Sequence, residues 1–297
     1  MADKTFLLGV GAQKAGTTWL HSQLCKNACF DPGFTKEYHT FDSIYAGQYV
    51  DWESSWLNKL SSIDETLPTD RAKKVSLLKR LLFVYEPISY FEYFKKLSDA
   101  SPQIQLVGDI TPSYSMLDSN AFADIKNGLE SVGLRVKVVF LMRDPVERIW
   151  SAKRMKRRHA LSSGEMVTSS IETSLLRALN NQGSRLKTDY ERVITNLETI
   201  FDPDDIFYGF YEELFKQTSY KRFRQFIGLD LINPDYKQTI NASPKDSELS
   251  EKMTIKMCQI YSSTYTYINN RFNGAAERLW SNNYKLSQRY ISESSLS

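Results

Sequence analysis

The stretch FLLGVGAQKAGTTWL, residues 6–20, sets one lysine, Lys14, between Gly11 and Gly16 and follows them with two hydroxyls, Thr17 and Thr18. A strand, a glycine-bearing turn and a helix in that order make an anion cradle. The helix start offers unsatisfied backbone N–H groups and the positive end of its dipole, glycine lets the backbone approach closely, and threonine adds donors. In the nucleotide-binding pattern G-x-x-x-x-G-K-[ST] the lysine follows the second glycine. Here Thr17 takes that place and Lys14 lies inside the loop, which leaves open what such a loop binds. Taken alone, the two glycines could merely close a tight turn.

A second stretch, VVFLMRDPVERIWSAKRM at residues 138–155, reads as a strand that delivers Arg143 at its carboxyl end and enters a helix at Pro145, a favoured first-turn residue. Arg143 can grip a phosphate with two parallel N–H bonds. It could equally pair with Asp144 or Glu147 as a surface ion pair. A third stretch, TKEYHTFD at residues 35–42, offers Lys36, Glu37 and His39 together: a carboxylate and an imidazole, either able to take a proton. Glu37 could also be no more than a partner for Lys36.

The first two stretches resemble the two phosphate-binding signatures of the sulfotransferases, whose donor is 3'-phosphoadenosine 5'-phosphosulfate (PAPS). The resemblance implies that Lys14, Ala15, Gly16, Thr17, Thr18 and Trp19 bind the donor, with Lys14 on the bridging oxygen and 5'-phosphate and Trp19 near the adenine. It implies Arg143 and Ser151 on the 3'-phosphate. GFYEEL, residues 209–214, is similar to the strand-end segment in which Tyr211 reaches the adenine, and NASPKD, residues 241–246, occupies the place of the late donor-covering loop, with Lys245 as its ligand. TKEYHTFD resembles the base segment of heparan-type members, which makes Glu37 the catalytic base and His39 the runner-up. GDITPSY, residues 108–114, looks like a segment of carbohydrate and bacterial members, but Ile110 stands where heparan-type enzymes often carry a lysine, which disfavours a glycosaminoglycan acceptor.

The elements that must position these residues are legible as well. Four apolar runs predict buried parallel strands at residues 5–11, 104–109, 136–142 and 206–210. Helical spacing predicts helices after the first loop (Trp19, Leu20, Gln23, Leu24), from Pro87 (Ile88, Phe91, Phe94, Leu97), and near the C-terminus, where a long helix carrying Leu249, Met253, Met257, Ile260 and Tyr261 would start at Asp246 or Ser247. Strands alternating with helices imply an α/β fold: a parallel sheet flanked by helices in a P-loop-like, three-layer architecture. Ligands then bind beyond the carboxyl ends of the strands, which gathers the segments after Gly11, Asp109 and Met142 into one crevice. A single domain over residues 1–297 is expected, with a helical or loop insertion at 42–85 and a flexible tail at 291–297.

Composition bounds the partners. Among 297 residues, 41% hydrophobic and 25% charged content is that of a globular protein. A net charge of +3 does not by itself call for nucleic acid or a membrane surface. No run of 18 apolar residues occurs. Cys25, Cys29 and Cys258 make neither a disulfide framework nor a convincing zinc set, and the first strand begins too early for a leader peptide, so a cytoplasmic location is expected. The basic run KRMKRRH, residues 153–159, reads as a solvated helix face or an attractor of anions, and His21 as structural.

These readings converge on sulfuryl transfer from PAPS to an acceptor hydroxyl, small-molecule or carbohydrate, leaving adenosine 3',5'-bisphosphate (PAP) and using no metal. A nucleoside or small-molecule kinase is the rival enzyme, with Asp109 holding magnesium and Arg143 as a lid arginine. A non-catalytic nucleic-acid-binding protein is the third reading. No nucleic-acid or membrane partner is expected, and the acceptor could be a sugar, a lipid-linked alcohol, a phenol or a peptide tyrosine.

Overall fold

The computed structural model describes residues 4–64, 67–237 and 249–294. Its centre is a parallel sheet of five strands in the order β2-β3-β1-β4-β5, formed by β1 (Thr5–Gly11), β2 (Phe30–Asp31), β3 (Leu106–Ile110), β4 (Arg135–Met142) and β5 (Ile206–Phe210). Four of the strands coincide with the apolar runs, to within two residues at each end. The two-residue β2, too short to leave a pattern, went unpredicted. Every residue of β1 and β3 is buried, which is why these strands read as continuous apolar runs and not as alternating ones.

Helices cover the sheet. They are α1 (Thr17–Leu24), α2 (Thr40–Tyr45), α3 (Trp52–Ser61), α4 (Pro68–Tyr85), α5 (Pro87–Asp99), α6 (Ser119–Ser131), α7 (Pro145–Ser162), α8 (Ile171–Asn180), α9 (Gln182–Leu186), α10 (Tyr190–Ile200), α11 (Tyr211–Leu214), α12 (Gln217–Ile227), α13 (Glu251–Ile260), α14 (Ser262–Arg271), α15 (Ala275–Leu279) and α16 (Ser281–Ser294). On α5, Tyr90, Phe91 and Phe94 face inward, and Phe94 meets Phe6 of β1 edge-on at 4.7 Å. Ile88, expected on that face, is exposed: it lies in the first turn, rotated away from the sheet.

The C-terminal part departs further from expectation. Ser250 caps α13, its side chain accepting from Met253 N; Asp246 and Ser247, the expected caps, lie outside the described residues, and the expected long helix breaks at Tyr261 into α13 and α14. α16, which packs along α13 and α14, runs to Ser294, into the stretch 291–297 expected as a tail.

β1 lies between β3 and β4, so the chain leaves β1 at the point where the sheet order reverses. Loops on the two sides diverge there and open a crevice. The loop after β1, the turn after β3 and Arg143 after β4 all border it.

Candidate active site

The loop between β1 and α1 is shaped by positive φ at Gly11 (134°), Lys14 (69°) and Gly16 (91°). Gly16 is the N-cap of α1, and a Cβ there would come within 2.3 Å of Leu214 Cδ2, so both conformation and packing require glycine. Lys14 has a Cβ and pays ~1–2 kcal/mol for its left-handed backbone. That cost is tolerated where the side chain must be aimed. Its Nζ meets only a thioether, Met155 Sδ at 3.6 Å, among the described residues. Burial and then the neighbouring charges of Arg143, Arg158, Arg154 and Lys36 push its pKa down to about 8.

Arg143 closes on the same loop. Its guanidinium donates to the backbone oxygen of Lys14 at 3.1 Å, pairs with Glu147 Oε2 at 3.3 Å and lies over the ring of Tyr211 at 4.3 Å. The two anion cradles, 129 residues apart in sequence, are therefore one place. The ion pair weighed in the sequence does form, with Glu147. Asp144 instead caps α7 through Glu147 N and receives Tyr265 Oη and Asn283 Nδ2. Ser151 is buried on α7, and Thr17 is buried at the start of α1. Trp19 is buried too, edge-on to Phe215 at 5.2 Å, and Phe215 meets Tyr211 at 5.2 Å, so Trp19 belongs to the aromatic floor beneath Tyr211. Ala15 is enclosed in the loop. Lys245 and the rest of NASPKD lie outside the described residues.

The base segment runs along the end of β3. Ile110 N donates to Lys36 O (3.1 Å), Tyr38 N to Thr111 Oγ1 (2.9 Å), and Arg80 of α4 holds Tyr38 O (3.1 Å) and Thr35 Oγ1 (2.9 Å). Lys36 Nζ donates to Glu37 Oε1 at 2.5 Å and to Thr17 Oγ1 at 3.4 Å, tying this segment to the phosphate loop. His39, also at positive φ (58°), sits between two carboxylates: Nε2 is 3.4 Å from Glu37 Oε2 and Nδ1 is 2.9 Å from Asp42 Oδ2. Trp52 stacks on the imidazole at 3.9 Å and, with Ser113, donates to Asp42 Oδ2. Burial disfavours the imidazolium, but the bonds to Asp42 and Glu37 outweigh it and raise the pKa of His39. Burial likewise opposes ionisation of Glu37, yet His39 and Lys36 hold its carboxyl down to about 2.

Asp42, Trp52 and Ser113 were not foreseen as site residues. Asp42, three residues after His39 on the following helix, was the one readable signal. Glu37 and His39 open onto a cavity of about 850 Å³ walled by Trp52 and Trp56 of α3 and Arg80 of α4.

Asp109 does not face the crevice. It is wholly buried and receives Thr111 Oγ1 (2.6 Å), Tyr114 Oη (2.7 Å) and Tyr90 Oη (3.0 Å), and burial lifts its pKa to about 6. The GDITPSY segment thus anchors the floor of the site, and Asp109 is poorly placed to hold a magnesium ion. Among the described residues no His, Cys, Asp and Glu cluster could hold a metal. His21 meets Phe30 edge-on at 6.2 Å and Cys25 Sγ at 3.6 Å, and burial lowers its pKa to about 4, as for a structural residue.

The sulfotransferase domain family matches residues 3–270, and the chain belongs to that family. In fold it is similar to a sulfotransferase from Alicyclobacillus acidocaldarius, with a TM-score of 0.59 at 16% identity over 92% of this chain and 97% of that one. It is also similar to the sulfotransferase domain of the Synechococcus PCC 7002 olefin synthase, with a TM-score of 0.50 at 16% identity over 88% of this chain and 94% of that one. No curated protein sequence matches it closely enough to count as a relative. No helix among the described residues is long and apolar enough to cross a membrane.

Proposed function

We propose that this sulfotransferase takes its sulfuryl group from PAPS and delivers it to an acceptor hydroxyl. The observation that carries the reading is the convergence of Lys14 and Arg143 on one loop. Arg143, Arg158, Arg154 and Lys36 all bear on Lys14 there, and this concentration of positive charge suits a ligand with two phosphates. When bound, the donor supplies a sulfuryl group on a 5'-phosphate.

Lys14, with the N–H groups at the start of α1 and the hydroxyls of Thr17 and Thr18, would hold the 5'-phosphate; Arg143 and Ser151 would hold the 3'-phosphate. Tyr211 and Trp19, with Phe215 between them, offer an aromatic wall for the adenine. In the transfer, the acceptor oxygen forms a bond to sulfur as the bond from sulfur to the bridging phosphate oxygen breaks. The hydroxyl proton goes to a protein base, and the electron pair of the broken bond stays on the 5'-phosphate beside Lys14.

Glu37 is that base. It is ionised throughout the neutral range, and its side chain keeps 37% of its surface exposed towards the cavity where an acceptor can enter. A carboxylate at each nitrogen raises the pKa of His39, and in its protonated form both N–H groups donate to them and no lone pair is on offer. It steadies Glu37 and can act as a base only after losing its own proton.

Thermal stability in the presence of PAP and a chelator tests the donor. Stabilisation by PAP without magnesium supports the reading; stabilisation by ATP with magnesium, and none by PAP, would favour a kinase.

A further inference from the structure

Helix α7 presents two cationic faces. Arg154 and Arg158 act on Lys14, as does Arg143 just ahead of the helix. The other face carries Arg148, Lys153, Lys156 and His159, which with Lys187 and Gln13 line a separate cavity of about 310 Å³. Among the described residues no carboxylate lines this cavity, and none of these cations forms an ion pair. Arg148 is only 2% exposed and donates to Thr188 Oγ1, at 3.1 Å from Nε and 2.6 Å from Nη2. Held by Thr188, the Arg148 guanidinium lends the cavity wall a fixed positive charge.

The cavity abuts the reacting centre. Gln13 precedes Lys14 in the loop, and Met155, whose sulfur touches Lys14 Nζ, separates the two faces of α7. Lys187 feels the charges of Asp42 and Glu37 on one side and of Arg148 and Lys153 on the other; burial and the two cations together lower its pKa.

Building on the donor reading above, we infer that this second cavity seats an acidic group of the acceptor, a carboxylate, sulfate or phosphate, while the acceptor's hydroxyl lies at Glu37. The acceptor is thereby a hydroxylated acid and not a neutral alcohol.

Calorimetric titration of inorganic phosphate into the PAP-saturated protein tests the cavity, since the donor's own phosphate sites are then filled. Wild-type protein should bind one phosphate, and Lys153→Gln/Lys187→Gln should bind it at least tenfold more weakly while its PAP affinity changes less than twofold. Absence of phosphate binding to wild type, equal binding to both proteins, or a tenfold loss of PAP affinity in the variant would each overturn the assignment, the last by giving the cavity to the donor. If PAP itself fails to bind wild type, the donor reading falls. The phosphate comparison, repeated without PAP, still decides whether the cavity is an anion site.

Labelled sulfuryl transfer to a pool of hydroxy acids, before and after methyl esterification, then separates an acceptor's acid from a free anion. Esterification should cut labelling by wild type at least tenfold. Equal labelling would show that the cavity does not read the acceptor.

Discussion

Lys14 holds its ammonium where three arginines and a lysine repel it, and that sets how donor binding should respond to pH. Its pKa, lowered to about 8 in the free protein, must rise when a phosphate dianion arrives. Below pH 8 the lysine is already charged and affinity is flat in this respect. Above it, binding must take up a proton, so PAP affinity should fall by up to about tenfold per pH unit. Calorimetry from pH 7 to 9.5 measures this, and Lys14→Met should be weak and flat. Lys14→Ala should also slow transfer by about 10²–10³-fold, the cost typical of one lost transition-state donor. Glu37→Gln keeps the shape but loses the base. Its kcat should drop by about 10²-fold or more with PAP affinity unchanged; full activity would reassign the base. Lys14, Arg143 and Glu37 were legible because residue type and order carry their chemistry. Asp42 left only its three-residue spacing from His39, and Ser113 left nothing, because it reaches His39 and Asp42 across a tertiary contact that no spacing records.

At the scale of elements, the phosphate loop turns at Gly16 through a φ of 91° that a residue with a Cβ adopts only under strain, and a Cβ there would also push against Leu214 of α11. Gly16→Ala should therefore cost about 1–3 kcal/mol of stability from the strained φ. It should also weaken PAP binding, because the N-terminus of α1 must shift; urea unfolding and PAP titration read the two effects separately. Arg80 of α4 does the corresponding work for the base segment. The strands were readable since each is an uninterrupted apolar run, whereas β2 and the break between α13 and α14 were not. A two-residue strand has no period, and the break falls at Tyr261, a residue that suits either helix. KRMKRRH was readable as basic but not as two faces, because only packing against the loop and Lys187 divides them.

For the molecule as a whole, β1 at the reversal of strand order brings three segments far apart in sequence to one crevice. Binding across that crevice should stabilise the entire fold. PAP at a hundred times its Kd adds about 2.7 kcal/mol, and for a chain of this size that is a rise of roughly 4 °C in Tm. A crystal structure of the protein with PAP tests the central claim most directly. One PAP molecule should place its 5'-phosphate within hydrogen-bonding reach of Lys14 and its 3'-phosphate within reach of Arg143. A complex in which these two side chains touch different molecules, or in which PAP binds away from the loop between β1 and α1, would contradict it.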